Sequence, residues 1–243
     1  MDTAIAMAAA GVATAFSGAL IASHLRRPRP HVAVWSVAMG MYALATWALA
    51  WGLGAGWSGG VFRVFYLFGA ILNVVFLGLG AAFLVAGRRA GAVLLIAFSA
   101  FGAGASAVAL TAPFVADLPE SGVPAGSELF APLSEGLATP RLWAVVGNSL
   151  GTALLVGFAL VTLLRVFGTN RRLALGNSLI VAGAVAPALG GTLTGLGDGG
   201  SLAMSLLVGA ALLWAGYVTA GGSRATASAA ARGVPLDRPA PLR

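Results

Sequence analysis

The sequence predicts an all-α polytopic membrane protein, a bundle of seven transmembrane helices with the N-terminus outside and the C-terminus cytoplasmic. Three observations predict it. First, 59% of the 243 residues are hydrophobic and only 9% are charged, with a mean hydropathy of +0.93. A water-facing surface needs a charged coat of roughly 25% of residues. Second, the chain divides into seven apolar runs, each of about 20 residues or more, the length a helix needs to cross ~30 Å of hydrocarbon. Third, arginines and acids alternate between successive connecting turns.

The runs cover about 4–23, 31–52, 62–86, 91–112, 142–165, 174–195 and 201–220. A closed barrel is the other way to span a bilayer, but its strands alternate apolar and polar residues over ~10 positions. The stretch 90–112 shows no such alternation. The 35 glycines suit helices that approach closely in lipid. Asp2 precedes the first run and Arg26, Arg27 and Arg29 follow it. That is the charge order of a retained reverse anchor, not of a cleaved signal peptide.

Arg88 and Arg89 follow the third run. Arg165, Arg171 and Arg172 sit between the fifth and sixth, and Arg224, Arg232, Arg238 and Arg243 lie beyond the seventh. All these fall on one side, and only Arg63 and Arg141 fall on the other. Asp2, Asp117, Glu120, Glu128, Glu135 and Asp198 share that second side. Arginine-rich turns stay cytoplasmic, which sets the orientation. Trp51, Trp57 and Trp143 are expected at the outer interface, and Trp35, Trp214 and Tyr217 towards the inner one. The external loop 113–141 carries five prolines and four acids, so it forms no long helix. It either folds back as a lid over the outer mouth or stays solvated. The tail 221–243 is expected to be disordered, cytoplasmic and lightly held to anionic lipid.

Residue inventory excludes several functions. The chain has no Cys and no Lys, which removes thiol metal sites and a retinal Schiff base. No acid lies within spans two to seven, so a carboxylate proton relay is missing. Ser149 lies outward while His24 and His31 lie inward, which leaves no serine–histidine pair. The two His flank the basic turn, where a headgroup contact is the ordinary role and bis-His haem ligation the rarer one. No phosphate loop appears. The net charge of +7 and pI near 11.5 reside in turns that set topology, so no nucleic-acid partner is expected. No enzyme activity, cofactor or metal follows from these residues.

Polar groups within the spans suggest a site. At helical spacing, positions 63, 66, 70, 73 and 77 share a face, which presents Arg63, Tyr66 and Asn73 to the bundle interior. The competing reading is that Arg63 snorkels to headgroups while Asn73 serves as interhelical glue. Asn148 and Thr152 form a second stripe one turn apart. Gly147/Gly151 and Gly216/Ala220 are small-residue pairs that could pack within or between chains. Pro187, followed by Gly190-Gly191-Thr192, is expected to kink the sixth span. The segments Gly147-Asn148-Ser149-Leu150 and Gly176-Asn177-Ser178-Leu179 echo each other. They are either the trace of an inverted repeat or a coincidence of a low-complexity chain.

Several segments together resemble a known group: Arg26-Arg27-Pro28-Arg29-Pro30-His31, Gly56-Trp57-Ser58, Phe62-Arg63-Val64-Phe65-Tyr66-Leu67-Phe68-Gly69-Ala70 with Asn73, Leu175-Gly176-Asn177-Ser178-Leu179-Ile180, and Gly190-Gly191-Thr192-Leu193. From about residue 24 to 220 the chain resembles a family of small multi-helix membrane proteins from high-GC, actinobacterial genomes. The resemblance implies an inner-membrane, multi-pass protein and brings no activity with it. More distantly, the layout is similar to the seven-helix sensor modules in front of some histidine kinases. That likeness is architectural only, because these residues include no kinase segment.

The leading functional expectation is a non-enzymatic sensor-like or scaffolding protein. Its outer half would bind a lipid or a small lipophilic or anionic ligand at Arg63, Tyr66, Asn73, Asn148 and Thr152. The alternative is a carrier for a neutral or lipophilic solute. Membrane lipids are the expected partners, and a homo-oligomer or a protein partner in the membrane stays open.

Overall fold

Proline, glycine and short polar residues punctuate the apolar runs and set where each helix starts and stops. A computed structural model of the chain describes the backbone of residues 1–166, 168–195 and 199–231. Side chains are described for these residues except 192–195, 199 and 222–231. Seven long helices result: α1 (Asp2–Arg26), α2 (Pro30–Ala55), α3 (Gly59–Val85), α4 (Arg88–Thr111), α5 (Pro140–Val166), α6 (Arg171–Gly195) and α7 (Gly199–Ala231). All seven are long and apolar enough to cross a membrane, and no strand occurs among the described residues.

Pro30 opens α2 at its first turn, where its missing N–H costs nothing. The Ser58 hydroxyl caps α3 by accepting from the Val61 N–H at 3.3 Å. The Asn170 Oδ1 accepts from the Leu173 N–H at 3.0 Å and caps α6. Gly56 (φ 95°) and Gly87 (φ 91°) make the turns after α2 and before α4, in a region that favours glycine. One boundary differs from expectation. Part of the tail predicted to be disordered continues α7 to Ala231, and its Ala-rich stretch 225–231 has high helix propensity. Asp198 and the predicted disorder over 232–243 lie outside the described residues.

Six helices close a ring in the order α1, α2, α3, α5, α6, α7 and back to α1. α4 lies outside it, against α3 and α5. Side-chain donors tie the seams to carbonyls that the helices leave accessible. Trp35 Nε1 donates to Leu77 O at 3.1 Å, Tyr42 Oη to Leu206 O at 2.7 Å, and Ser17 Oγ to Ser36 O at 2.9 Å. In a lipid surrounding, such bonds would substitute for the hydrophobic drive that lipid removes. Trp35, expected at the inner interface, is buried inside the bundle, edge-on to Tyr217 at 6.3 Å. Its indole N–H is satisfied by Leu77, so it has no need of headgroups.

Within α3 the ladder widens. Residues Tyr66–Leu72 form a π-helical stretch, rare in helices and often found at functional sites. Residues on either side of it no longer follow one 3.6-residue period, which redirects the face predicted from Arg63 downward.

The connection between α4 and α5 folds back as an ordered lid. A short helix at Gly126–Leu129 and a 3₁₀ turn at Leu133–Ala138 press Leu129 and Phe130 into the bundle end, where each is 1% exposed. Phe130 meets Tyr66 at 5.1 Å, Phe114 at 5.5 Å and Phe62 at 5.7 Å. Burying such side chains stabilises by about 1.5–3 kcal/mol each. Thr139, fully buried, donates to Ala131 O at 2.7 Å. On the far side, Trp57 Nε1 donates to Gly122 O at 2.8 Å. Trp57→Phe keeps the apolar contact and removes that bond. It is expected to cost about 1 kcal/mol and to speed limited proteolysis of the lid, read by mass of the fragments.

Candidate functional site

The five residues picked out from the sequence separate into two groups. Arg63 does not point into a cavity. Its Nη1 donates to Ala109 O at 2.6 Å and its Nη2 to Ala112 O at 2.7 Å. These are carbonyls at the C-terminal end of α4, where helix groups lack partners and a cation is favoured. The guanidinium also rests 4.4 Å from the Phe114 ring centroid. Tyr66 is buried beneath the lid, against Phe62 and Phe130. Gly126 of the lid lies over the Tyr66 ring, leaving no room there for a Cβ. Both residues thus fasten the lid to the bundle.

Asn73, Asn148 and Thr152 do converge. They line a cavity of about 300 Å³ between α2, α3, α5, α6 and α7, in the half of the bundle nearer the lid. This lies at the lower end of the ~300–1,000 Å³ typical of small-molecule sites. Asn73, 4% exposed, donates through Nδ2 to Ala38 O at 3.1 Å. Asn148 Nδ2 donates to Ala70 O at 2.5 Å and to Ala144 O at 3.1 Å. Ala70 lies within the π-helical stretch. With both amide nitrogens committed, the two Oδ1 atoms are left as acceptors, and no donor among the described residues meets them. The remaining wall is apolar, including Phe65, Leu77, Pro187 and Leu206, and no charged side chain lines the cavity.

The cavity reaches the surface between α5 and α6, which touch least of all neighbours in the ring. Thr152, Ala188 and Gly191 line it and are themselves exposed. Pro187 stands inside α6 at this level and packs against Gly209 of α7, its ring 3.1 Å from where a Cβ would be. The side chain of Thr192, in the predicted loose end of α6, lies outside the described residues.

Two further voids follow along the bundle axis. Leu77 and Leu213 line both the large cavity and a small space of about 20 Å³. Trp35, Leu155, Ile180 and Tyr217 line that space and a third cavity at the arginine-bearing end. No single stretch signals the third cavity, because its walls come from five separate segments. The short echo is informative here. Asn148 lines the first cavity and Asn177 the third. Gly147 lies against Ile71 O of α3, and Gly176 against the Ala220 N–H of α7, each 2.7 Å from a would-be Cβ. Gly216 likewise packs on Gly176 O, so these small residues serve contacts within the chain.

No protein-family model matches the chain, and no curated protein matches it in sequence.

Proposed function

We propose that this chain is a non-enzymatic membrane receptor or scaffold that holds a small, neutral, lipophilic molecule carrying a hydrogen-bond donor. One observation carries the reading. A cavity without charges, open at the α5–α6 seam, presents the two unpaired amide oxygens of Asn73 and Asn148. Neither oxygen is sealed from solvent, so both stay available to accept from a ligand N–H or O–H, a bond worth about 0.5–1.5 kcal/mol each. The bundle would sit in the plasma membrane with the lid outside and the arginine-bearing turns in the cytoplasm, as the charge bias supports. The seam then faces lipid, and a lipophilic ligand enters sideways from the bilayer. The unmatched actinobacterial resemblance fits such a protein without adding to its chemistry.

Mass spectrometry of molecules that copurify in mild detergent tests this. Ala188→Phe fills the exposed mouth and leaves both amides in place. The neutral lipophile held by the wild type is expected to fall at least about tenfold, the effect of ~1.4 kcal/mol, with the melting temperature of stripped protein unchanged. A wild type carrying no such molecule, or a variant carrying as much, would contradict the proposal. A second reading, a carrier for a neutral solute, is favoured by the three voids on one axis and by the paired asparagines. Uptake into proteoliposomes separates it from simple retention.

A further inference from the structure

The cavity at the arginine-bearing end has the opposite character to the one beneath the lid, and the two share no lining residue. It measures about 150 Å³. Trp35, Phe158 and Ile180 give it an apolar wall, Thr162, Asn177 and Tyr217 add neutral polar groups, and Arg29 and His31 line its arginine-bearing end. No acidic side chain lines it, and Arg29 is exposed. Outside the bundle, along the same α5–α6 seam, runs a groove of about 380 Å³. Its wall is hydrocarbon apart from Asn177 and Ser178, and much of it is exposed. The groove and the cavity meet at Ala159 and Asn177, which line both. Asn177 is held at that junction by its Nδ2 bond to Leu173 O at 2.9 Å.

A cavity with a cation at one end and a hydrocarbon groove against its wall at Ala159 and Asn177 together have the layout of an amphiphile. A headgroup phosphate takes a guanidinium with charge-assisted bonds. An acyl chain lies against apolar helix surface at bilayer depth, and basic pockets between helices at the cytoplasmic side hold lipid head groups. We infer that one anionic phospholipid binds here, its phosphate on Arg29 in the cavity and one acyl chain in the α5–α6 groove. The groove runs alongside the seam through which the first cavity opens. The bound chain therefore forms part of the wall that a lipophilic ligand passes.

Native mass spectrometry of the full chain tests this, with phosphatidylglycerol, phosphatidylcholine and inorganic phosphate as separate probes. Arg29→Gln removes the charge at the cavity's end. Ala182→Trp fills the groove at an exposed position. Arg88→Gln removes one exposed arginine at the same end that lines no part of the cavity. Bound phosphatidylglycerol is expected to fall about tenfold in the first two variants and less than about twofold in the third, with phosphatidylcholine unchanged throughout. Equal losses in Arg29→Gln and Arg88→Gln would reduce the effect to bulk charge and overturn the site. So would equal retention of the two lipids. Displacement of the lipid by millimolar phosphate, with Ala182→Trp still binding normally, would assign the cavity to a free anion instead. The retained lipophile of the lid-side cavity is read on a different species, so either inference can fail without the other.

Discussion

Replacing Gly151 with alanine is expected to lower stability by about 2–3 kcal/mol, while the same change at Gly157, six residues along the same helix, is harmless. A Cβ on Gly151 would stand 2.5–2.6 Å from the backbone of Val74 and Val75. A Cβ on Gly78 would stand 2.7 Å from Gly151 O, and one on Gly147 2.7 Å from Ile71 O. Thus α3 and α5 touch through their main chains along two turns. No flexible side chain is there to move aside, so the helices must separate. Overpacking of this kind costs about 1–3 kcal/mol, and backbone-on-backbone contact places it in the upper part of that range. Separation would also stretch the Asn148–Ala70 bond that positions one acceptor of the cavity. Gly157 has nothing within 4 Å of a would-be Cβ, so alanine there should be neutral or gain up to ~1 kcal/mol of helix propensity. Thermal melts in one detergent compare the two. Equal midpoints would show that the α3–α5 contact is looser than described.

Arg63→Ala is expected to release the lid and cost about 3 kcal/mol or more. The substitution removes two charge-assisted bonds, each worth about 1.5–3 kcal/mol, and a cation–π contact of ~0.5–1 kcal/mol. It also strands Ala109 O and Ala112 O at the end of α4. Arg63→Lys should recover only part of the loss, because an ammonium cannot serve both carbonyls in fork geometry. Two readouts are needed: the melting midpoint, and the rate at which protease cuts between residues 113 and 139. Should neither move, Arg63 does not hold the lid, and a direct ligand role regains its place. A variant that loses ligand only in proportion to lost lid protection supports the fastening role.

The seven helices were legible because long apolar runs, of the length a hydrocarbon core demands, set each helix's extent more firmly than any short-range effect. Asn73, Asn148 and Thr152 were legible because polar groups in a span usually point inward, and they do line one cavity. Arg63 and Tyr66 were misplaced for a definite reason. A period of 3.6 residues carried through positions 66–72 assumes a regular helix, and the stretch Tyr66–Leu72 is π-helical. The stretch YLFGAIL has no proline, and its one glycine is unexceptional in a chain with 35, so nothing local announces it. The lid was legible only as a choice. Leu129 and Phe130 are apolar residues in an acidic loop, but their burial depends on Phe62 and Tyr66, far away in sequence. Trp35 read as an interfacial aromatic because its acceptor, Leu77 O, belongs to another helix.

The narrow space between the two larger cavities has an electrical consequence. Trp35, Leu77, Leu155, Ile180, Leu213 and Tyr217 enclose it, with the Trp35 N–H spent on Leu77 O and the Tyr217 hydroxyl beside Ser23 Oγ at 3.2 Å. About 20 Å³ holds at most one water, so no file of waters can conduct protons across. An ion would have to shed its hydration with nothing to replace it, an idealised penalty of order 20 kcal/mol. Spanning a bilayer as proposed, the bundle should therefore behave as an insulator, and a cell could produce it abundantly without discharging its membrane voltage.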